Sequence, residues 1–189
     1  IFNLIQMEKE FIDVEDEESI MVVDVGSEST KIFFEKGGQF KFYRIVSIGG
    51  NDITSVIERY YNIDRERAEE EKKRLELLFE DDNRTAEEME VFKEVEDLIA
   101  ELEDSIKISI DYYKAQENAP SIDRIFLTGG ATLLKGFKQI IEKTFELEVE
   151  AIDAARYFSH RLDEEDAEEF PVQRIAALLG NVITEVSLK

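Results

Sequence analysis

The segment that most constrains the fold is Ile20-Met21-Val22-Val23-Asp24-Val25. It is a short apolar run rich in β-branched residues, halted by Gly26, and it predicts a buried strand. Residues 26–30 read as a turn, 31–35 as a second strand, and Gly37-Gly38 as a hairpin turn. Residues 39–48 alternate, with Phe40, Phe42, Arg44, Val46 and Ile48 on one face. Three consecutive strands of this kind predict a meander.

The period then changes. Gly49-Gly50-Asn51-Asp52 punctuates the chain, and Asp52 is expected to cap a helix carrying Ile53, Val56, Ile57 and Tyr60 on one face. A highly charged helix is predicted at about 65–79, a polar loop at 80–85 and a long helix at about 86–117. The seam of that long helix is Phe92, Val95, Ile99, Leu102, Ile106 and Tyr113. Such spacing fits a coiled coil, or one helix lying across a sheet and a neighbouring helix. After Pro120, residues 124–128 read as a buried strand that enters Gly129-Gly130. A helix with Leu134, Phe137, Ile141 and Phe145 follows, then a fifth strand at 148–152. Pro171 opens a last helix with Val172, Ile175, Ala176, Leu179, Val182, Ile183 and Val186 on one stripe. A meander followed by helix-alternated strands implies an α/β fold: a mixed five-stranded sheet with helices on its faces.

Composition removes several classes of function. Lys and Arg total 23 against 45 Asp and Glu, a formal charge of −22, which repels nucleic acid and anionic lipid surfaces. Apolar residues make up 43% of the 189, enough for a real core. The chain has no cysteine, so disulfides, thiolate metal sites and iron–sulfur clusters are excluded. Its apolar runs fall well short of the roughly 20 residues a membrane-spanning helix requires, so no direct membrane insertion is expected.

Asp24 leaves its strand into a glycine turn lined by short hydroxyl groups. Gly26 allows close backbone approach to a ligand, successive N–H groups can face an anion, and Ser27, Ser29 and Thr30 add donors. Asp24 has the chemistry to orient a hydrated Mg2+ through water. The same residues also make an ordinary polar turn. Thr128-Gly129-Gly130-Ala131 lets a nucleotide lie against backbone near a helix N-terminus, or is plain strand-to-helix turn chemistry, and Gly49-Gly50 has the same two readings. Glu69 and Lys72 share a helix face, as a ribose bracket or as an exposed ion pair. Residues 130–136 are not a P-loop, because Lys135 and Gly136 stand in the wrong order. His160 is the only histidine, which argues against a zinc site, and it is read as a surface or loop residue.

The order of these segments resembles the actin-like ATPase superfamily, and within it the PilM/FtsA group. The matching pieces are Val23-Asp24-Val25-Gly26-Ser27-Glu28-Ser29-Thr30, then Arg44-Ile45-Val46-Ser47-Ile48-Gly49-Gly50-Asn51-Asp52-Ile53-Thr54, Ala68-Glu69 with Lys72, and Ile125-Phe126-Leu127-Thr128-Gly129-Gly130-Ala131. Ser105-Ile106, Asp111-Tyr112-Tyr113 and Gln116 look more like the type IV pilus assembly family PilM than like FtsA. The resemblance implies an RNase H-like lobe, with ATP and Mg2+ held in a cleft between two lobes. By it, Asp24, Gly26, Ser27, Glu28 and Thr30 would face the phosphates and magnesium. Glu69, Lys72, Gly129, Gly130 and Ala131 would lie by the ribose and adenine, and Gly49 and Gly50 would be cleft glycines.

The same resemblance divides the chain. Residues 1–19, opening Ile1-Phe2-Asn3-Leu4-Ile5, would be the end of a first-lobe helix and a linker. Residues 20–170 would be the second-lobe core with a helical insert at about 51–85, and 171–189 a helix returning toward the first lobe. Nothing before Ile20 resembles a first-lobe phosphate loop, so half of a nucleotide clamp is expected here. The implied protein is an ATP-binding scaffold of type IV pilus or related secretion machinery, with slow or no hydrolysis. It would sit at the cytoplasmic face of the inner membrane through PilN-like partners held by the first lobe, with self-association also open. An FtsA-like division protein and a degenerate actin-like interaction module are the alternatives.

Overall fold

The computed structural model describes residues 12, 14–78, 84–116 and 121–152. Its sheet is built from β1 (Ser19–Val25), β2 (Thr30–Lys36), β3 (Gln39–Val46), β4 (Arg124–Thr128) and β5 (Glu148–Ala151), in the spatial order β3-β2-β1-β4-β5. β1 pairs antiparallel with β2, and β2 with β3, while β1–β4 and β4–β5 are parallel. The expected mixed five-stranded sheet is therefore present. β1 is central, and every one of its residues is buried, as the apolar run Ile20 to Val23 demands, with the polar Ser19 and Asp24 buried near its two ends.

Alternation along β1 sends Met21, Val23 and Val25 into the main core, while Ile20 and Val22 join Ile12, Phe33, Phe126 and Ile152 in a smaller cluster. Among the described residues the α-helices are α1 (Gly50–Tyr61), α2 (Arg65–Arg74) and α3 (Ala86–Ala115), between β3 and β4, and α4 (Phe137–Phe145), between β4 and β5. α3 starts in a reciprocal cap, in which Thr85 Oγ1 accepts from the Glu88 amide and Glu88 accepts from the Thr85 amide. It lies across the sheet rather than in a coiled coil. Its buried stripe is Val91, Val95, Ile99, Leu102, Ile106, Ile110 and Tyr113, and the Tyr113 ring stacks on Phe34 of β2 at 4.7 Å. Ile53, Val56 and Ile57 of α1 and Ala68 of α2 enter the same core.

Four local expectations are corrected. Asp52 does not cap α1. Gly49 is the cap residue, and Asp52, three positions on, accepts a hydrogen bond from the Gly49 amide at 2.8 Å. α2 stops at Arg74 instead of continuing to 79, because Leu77 is drawn into the core and its amide donates to Lys135 O at 2.9 Å. Val91 takes the seam position assigned to Phe92, whose half-buried ring lies under the Arg84 guanidinium at 3.8 Å. The helix after the glycine pair is split into one turn of 3-10 helix, Gly130–Leu133, and α4, with Gly136 at φ +89° between them. The helix end in residues 1–11, Pro120, His160, the helix from Pro171 and the stretch 79–83 lie outside the described residues.

Candidate functional site

β1 and β4 are parallel neighbours with Asp24 beside Thr128, so both deliver their last residues to one end of the sheet. There β1 folds back into antiparallel β2, and β4 enters the 3-10 turn. Chains that diverge from adjacent parallel strands leave a crevice at the carboxyl ends. Here that crevice is a cavity of about 500 Å3, lined by Asp24, Gly26, Ser27, Glu28, Ser29, Lys31, Gly50, Asn51, Glu69, Lys72, Gly129, Gly130 and Ala131. Ligand pockets commonly hold roughly 300–1,000 Å3.

The loop between β1 and β2 is held from behind. The Gly26 amide donates to Ser29 O at 3.1 Å, while Gly26 O and Ser27 O accept from the Gly50 and Asn51 amides at 2.9 and 2.7 Å. The first turn of α1 thus uses its unpaired donors to fix the loop. The Ser27 and Glu28 amides have no backbone acceptor among the described residues. Adjacent amides of this kind can receive an anion. Gly49 sits beneath the loop, where a Cβ would stand 2.5 Å from Ser27 O. Thr30 is also a support: it is fully buried, and its hydroxyl donates to Ile48 O at 2.8 Å. Of the residues that the resemblance assigns to phosphates, magnesium, ribose, adenine or cleft glycines, Thr30 and Gly49 therefore do not line the cavity, and the others do.

Gly129 brings the second glycine segment against the first loop. Its φ is +93°, and an added Cβ would lie 2.4 Å from Val25 O and 2.6 Å from Asp24 Oδ1. Only glycine lets β4 turn this close to the acid. The expected α-helix N-terminus beside this pair is absent, since α4 begins at Phe137.

Glu69 and Lys72 form more than an exposed ion pair. Lys72 Nζ donates to Glu69 Oε1 at 2.8 Å, to Thr54 Oγ1 at 2.7 Å and to Gly50 O at 3.1 Å. Its side chain is 12% exposed. Thr54, fully buried on α1, also has Gly50 O and Glu69 Oε1 within 2.9 and 2.5 Å as acceptors. The network ties α2 to the start of α1 and sets one wall of the cavity.

Sequence reasoning passed over Lys31, Asn51 and Thr54. Lys31 is the register partner of Asp24, and its Nζ lies 2.9 Å from Asp24 Oδ2. The tight turn after a strand was the available signal, because it sets residue 31 opposite residue 24 on one face. Three lining carboxylates against two ammonium groups leave the cavity a formal charge of −1. Among the described residues no group of three or more His, Cys, Asp or Glu is placed to hold a metal ion. One buried carboxylate beside an anion-receiving loop fits Mg2+ that arrives with its waters and with ligand phosphates, the form in which Mg2+ usually binds.

The type IV pilus assembly protein PilM family matches residues 3–176. No curated protein matches the sequence. Among solved structures, a PilM–PilN type IV pilus biogenesis complex matches at 22% identity and TM-score 0.72, over 95% of this chain and 49% of that one. MreB5 of Spiroplasma citri bound to ADP matches at 15% identity and TM-score 0.67, over 99% of this chain and 59% of that one. An archaeal actin homolog matches at 15% and 0.60, over 95% and 52%. The fold is that of an actin-like lobe, and the chain spans about half the length of these structures.

Proposed function

Because the chain belongs to the type IV pilus assembly protein PilM family, we propose that it supplies one lobe of a two-lobed cleft that binds ATP with Mg2+. The observation that carries this is the convergence of Asp24, the 26–29 loop and Gly129-Gly130 on one cavity. The Ser27 and Glu28 amides and the Ser29 hydroxyl receive phosphate oxygens. Asp24 orients Mg2+ through water. Gly129, Gly130 and Ala131 pass under the adenosine, with Glu69 toward the ribose. Lys72 braces that wall through Glu69, Thr54 and Gly50 O, and Thr30 and Gly49 hold the loop from outside the contact surface. When bound, Mg2+ would neutralise phosphate charge that a cavity of net −1 cannot.

Two comparisons support this account. The actin-like MreB5 is a nucleotide complex, and the fold is shared. The PilM–PilN complex spans about twice this chain, which agrees with a second lobe completing the cleft. The work of the protein is then nucleotide-dependent scaffolding in pilus assembly, peripheral to the inner membrane through a PilN-like partner. Calorimetric titration of MgATP into the full-length protein and into the 189-residue chain tests this. The full-length protein should bind, and the isolated chain at least about tenfold more weakly, a loss of about 1.4 kcal/mol. Equal, tight binding by both would sink the half-cleft, and no binding by the full-length protein would sink nucleotide recognition.

A further inference from the structure

Lys31 has no role in the account above, yet it lines the cavity beside its most buried acid. Antiparallel pairing of Asp24 with Lys31 puts both side chains on one face of the sheet, and they meet at 2.9 Å. Their exposures differ. The Asp24 side chain is 7% exposed and fixed in the wall, whereas that of Lys31 is 31% exposed. A carboxylate so deeply placed needs a counter-charge.

The two lining ammonium groups are not equivalent. An ammonium has three protons to donate. Lys72 directs its three at Gly50 O, Thr54 Oγ1 and Glu69 Oε1. Lys31 has one hydrogen-bond acceptor among the described residues, Asp24 Oδ2. Two of its protons are therefore available to an incoming anion.

We infer that Lys31 is a phosphate-positioning residue that exchanges partners, pairing with Asp24 when no ligand is bound and with a phosphate oxygen when a hydrated Mg2+ takes over Asp24. This rests on the proposed nucleotide site. The exchange follows from charge. Lys31 cannot leave Asp24 for a phosphate unless another cation replaces it, and Mg2+ cannot approach Asp24 closely while the ammonium stays. Metal and nucleotide therefore favour each other's binding through one side chain. No bond is made or broken in the exchange.

The test uses the full-length protein with Lys31→Met, Lys31→Gln and Lys31→Arg, each first checked for folding by thermal melting. Titration with MgATP should show about a ten- to hundredfold loss of affinity for Lys31→Met, as expected for one charge-assisted hydrogen bond, with partial recovery in Lys31→Arg. Titration with Mg2+ alone gives the opposite sign. Without the ammonium, Asp24 should take Mg2+ more tightly, by about tenfold or more, and Lys31→Arg should stay near the parent. A purely structural role would not tighten metal binding. Should Lys31→Met fail to fold, Lys31→Gln keeps a donor for Asp24 without the charge and carries the same expectations. A parent that binds MgATP, with Lys31 variants unchanged toward both MgATP and Mg2+, overturns the exchange alone. A parent that binds no nucleotide overturns the nucleotide site and the exchange with it.

Discussion

Replacing Gly129 by alanine strikes the contact that brings the two loop segments together. At φ +93° and ψ 155° the backbone is in a region populated essentially by glycine alone, and an L side chain held there costs about 1–3 kcal/mol. The new Cβ would also stand 2.4 Å from Val25 O and 2.6 Å from Asp24 Oδ1, too close to remain without movement of β1. Overpacking of this kind typically costs about 1–3 kcal/mol. Together these predict a loss of roughly 2–6 kcal/mol. At about 2–4 °C per kcal/mol for a domain of this size, the melting temperature should fall by about 4–24 °C. Gly130→Ala is the matched control, because Gly130 begins the 3-10 turn without a positive φ. It should shift melting by less than about 2 °C, within the usual small range for sites away from strain. Melting curves followed by circular dichroism on both variants decide the matter. If Gly129→Ala melts within a degree of its parent, the close approach of β4 to Asp24 is wrong.

Two further outcomes follow from the same structure. Thr54→Val removes the hydroxyl that accepts from Lys72 inside the core, so stability should fall by about 1–3 kcal/mol. In a double-mutant cycle with Lys72→Met the two losses should be less than additive, and simple additivity would deny the network. Glu18 concerns pH. The Arg124 guanidinium beside it holds its carboxyl below the ordinary glutamate value of 4.5. A depressed folded-state pKa means that the stabilisation is complete above the unfolded value and disappears as pH falls through the lower folded value. The melting difference between parent and Glu18→Gln should therefore be constant near neutrality and shrink in acid below about pH 4.5. A difference that does not change with pH would contradict the pairing.

The sheet was legible because its signals are local. A short apolar run rich in β-branched residues gives the central strand β1, Gly37-Gly38 gives the hairpin, and Arg124 to Thr128 repeats the buried-strand pattern. The site was legible as positions in a chain but not as roles. Asp24, Gly26, Ser27, Glu28, Gly129 and Gly130 do come together on one cavity. Thr30 looks like Ser27 and Ser29 in sequence, yet the strand pairing turns its hydroxyl onto Ile48. Lys31 reads as a surface lysine until the antiparallel register sets it against Asp24.

Helix ends were the least legible part, since they are decided by distant partners. The charge pattern of α2 would continue past Arg74, but Leu77 gains more by entering the core beside Lys135. Asp52 has the chemistry of a cap residue, but the loop carbonyls of Gly26 and Ser27 pull the start of α1 back to Gly50. No local rule reports a partner 24 residues away.

The central claim is a Mg2+-dependent nucleotide cleft built around Asp24. It is tested most directly by titrating ATP into the full-length protein and its Asp24→Ala variant, each with Mg2+ and with a chelator. The parent should bind markedly tighter with Mg2+ than without, and Asp24→Ala should lose most of that difference. Equal affinities for parent and variant under both conditions would contradict the account.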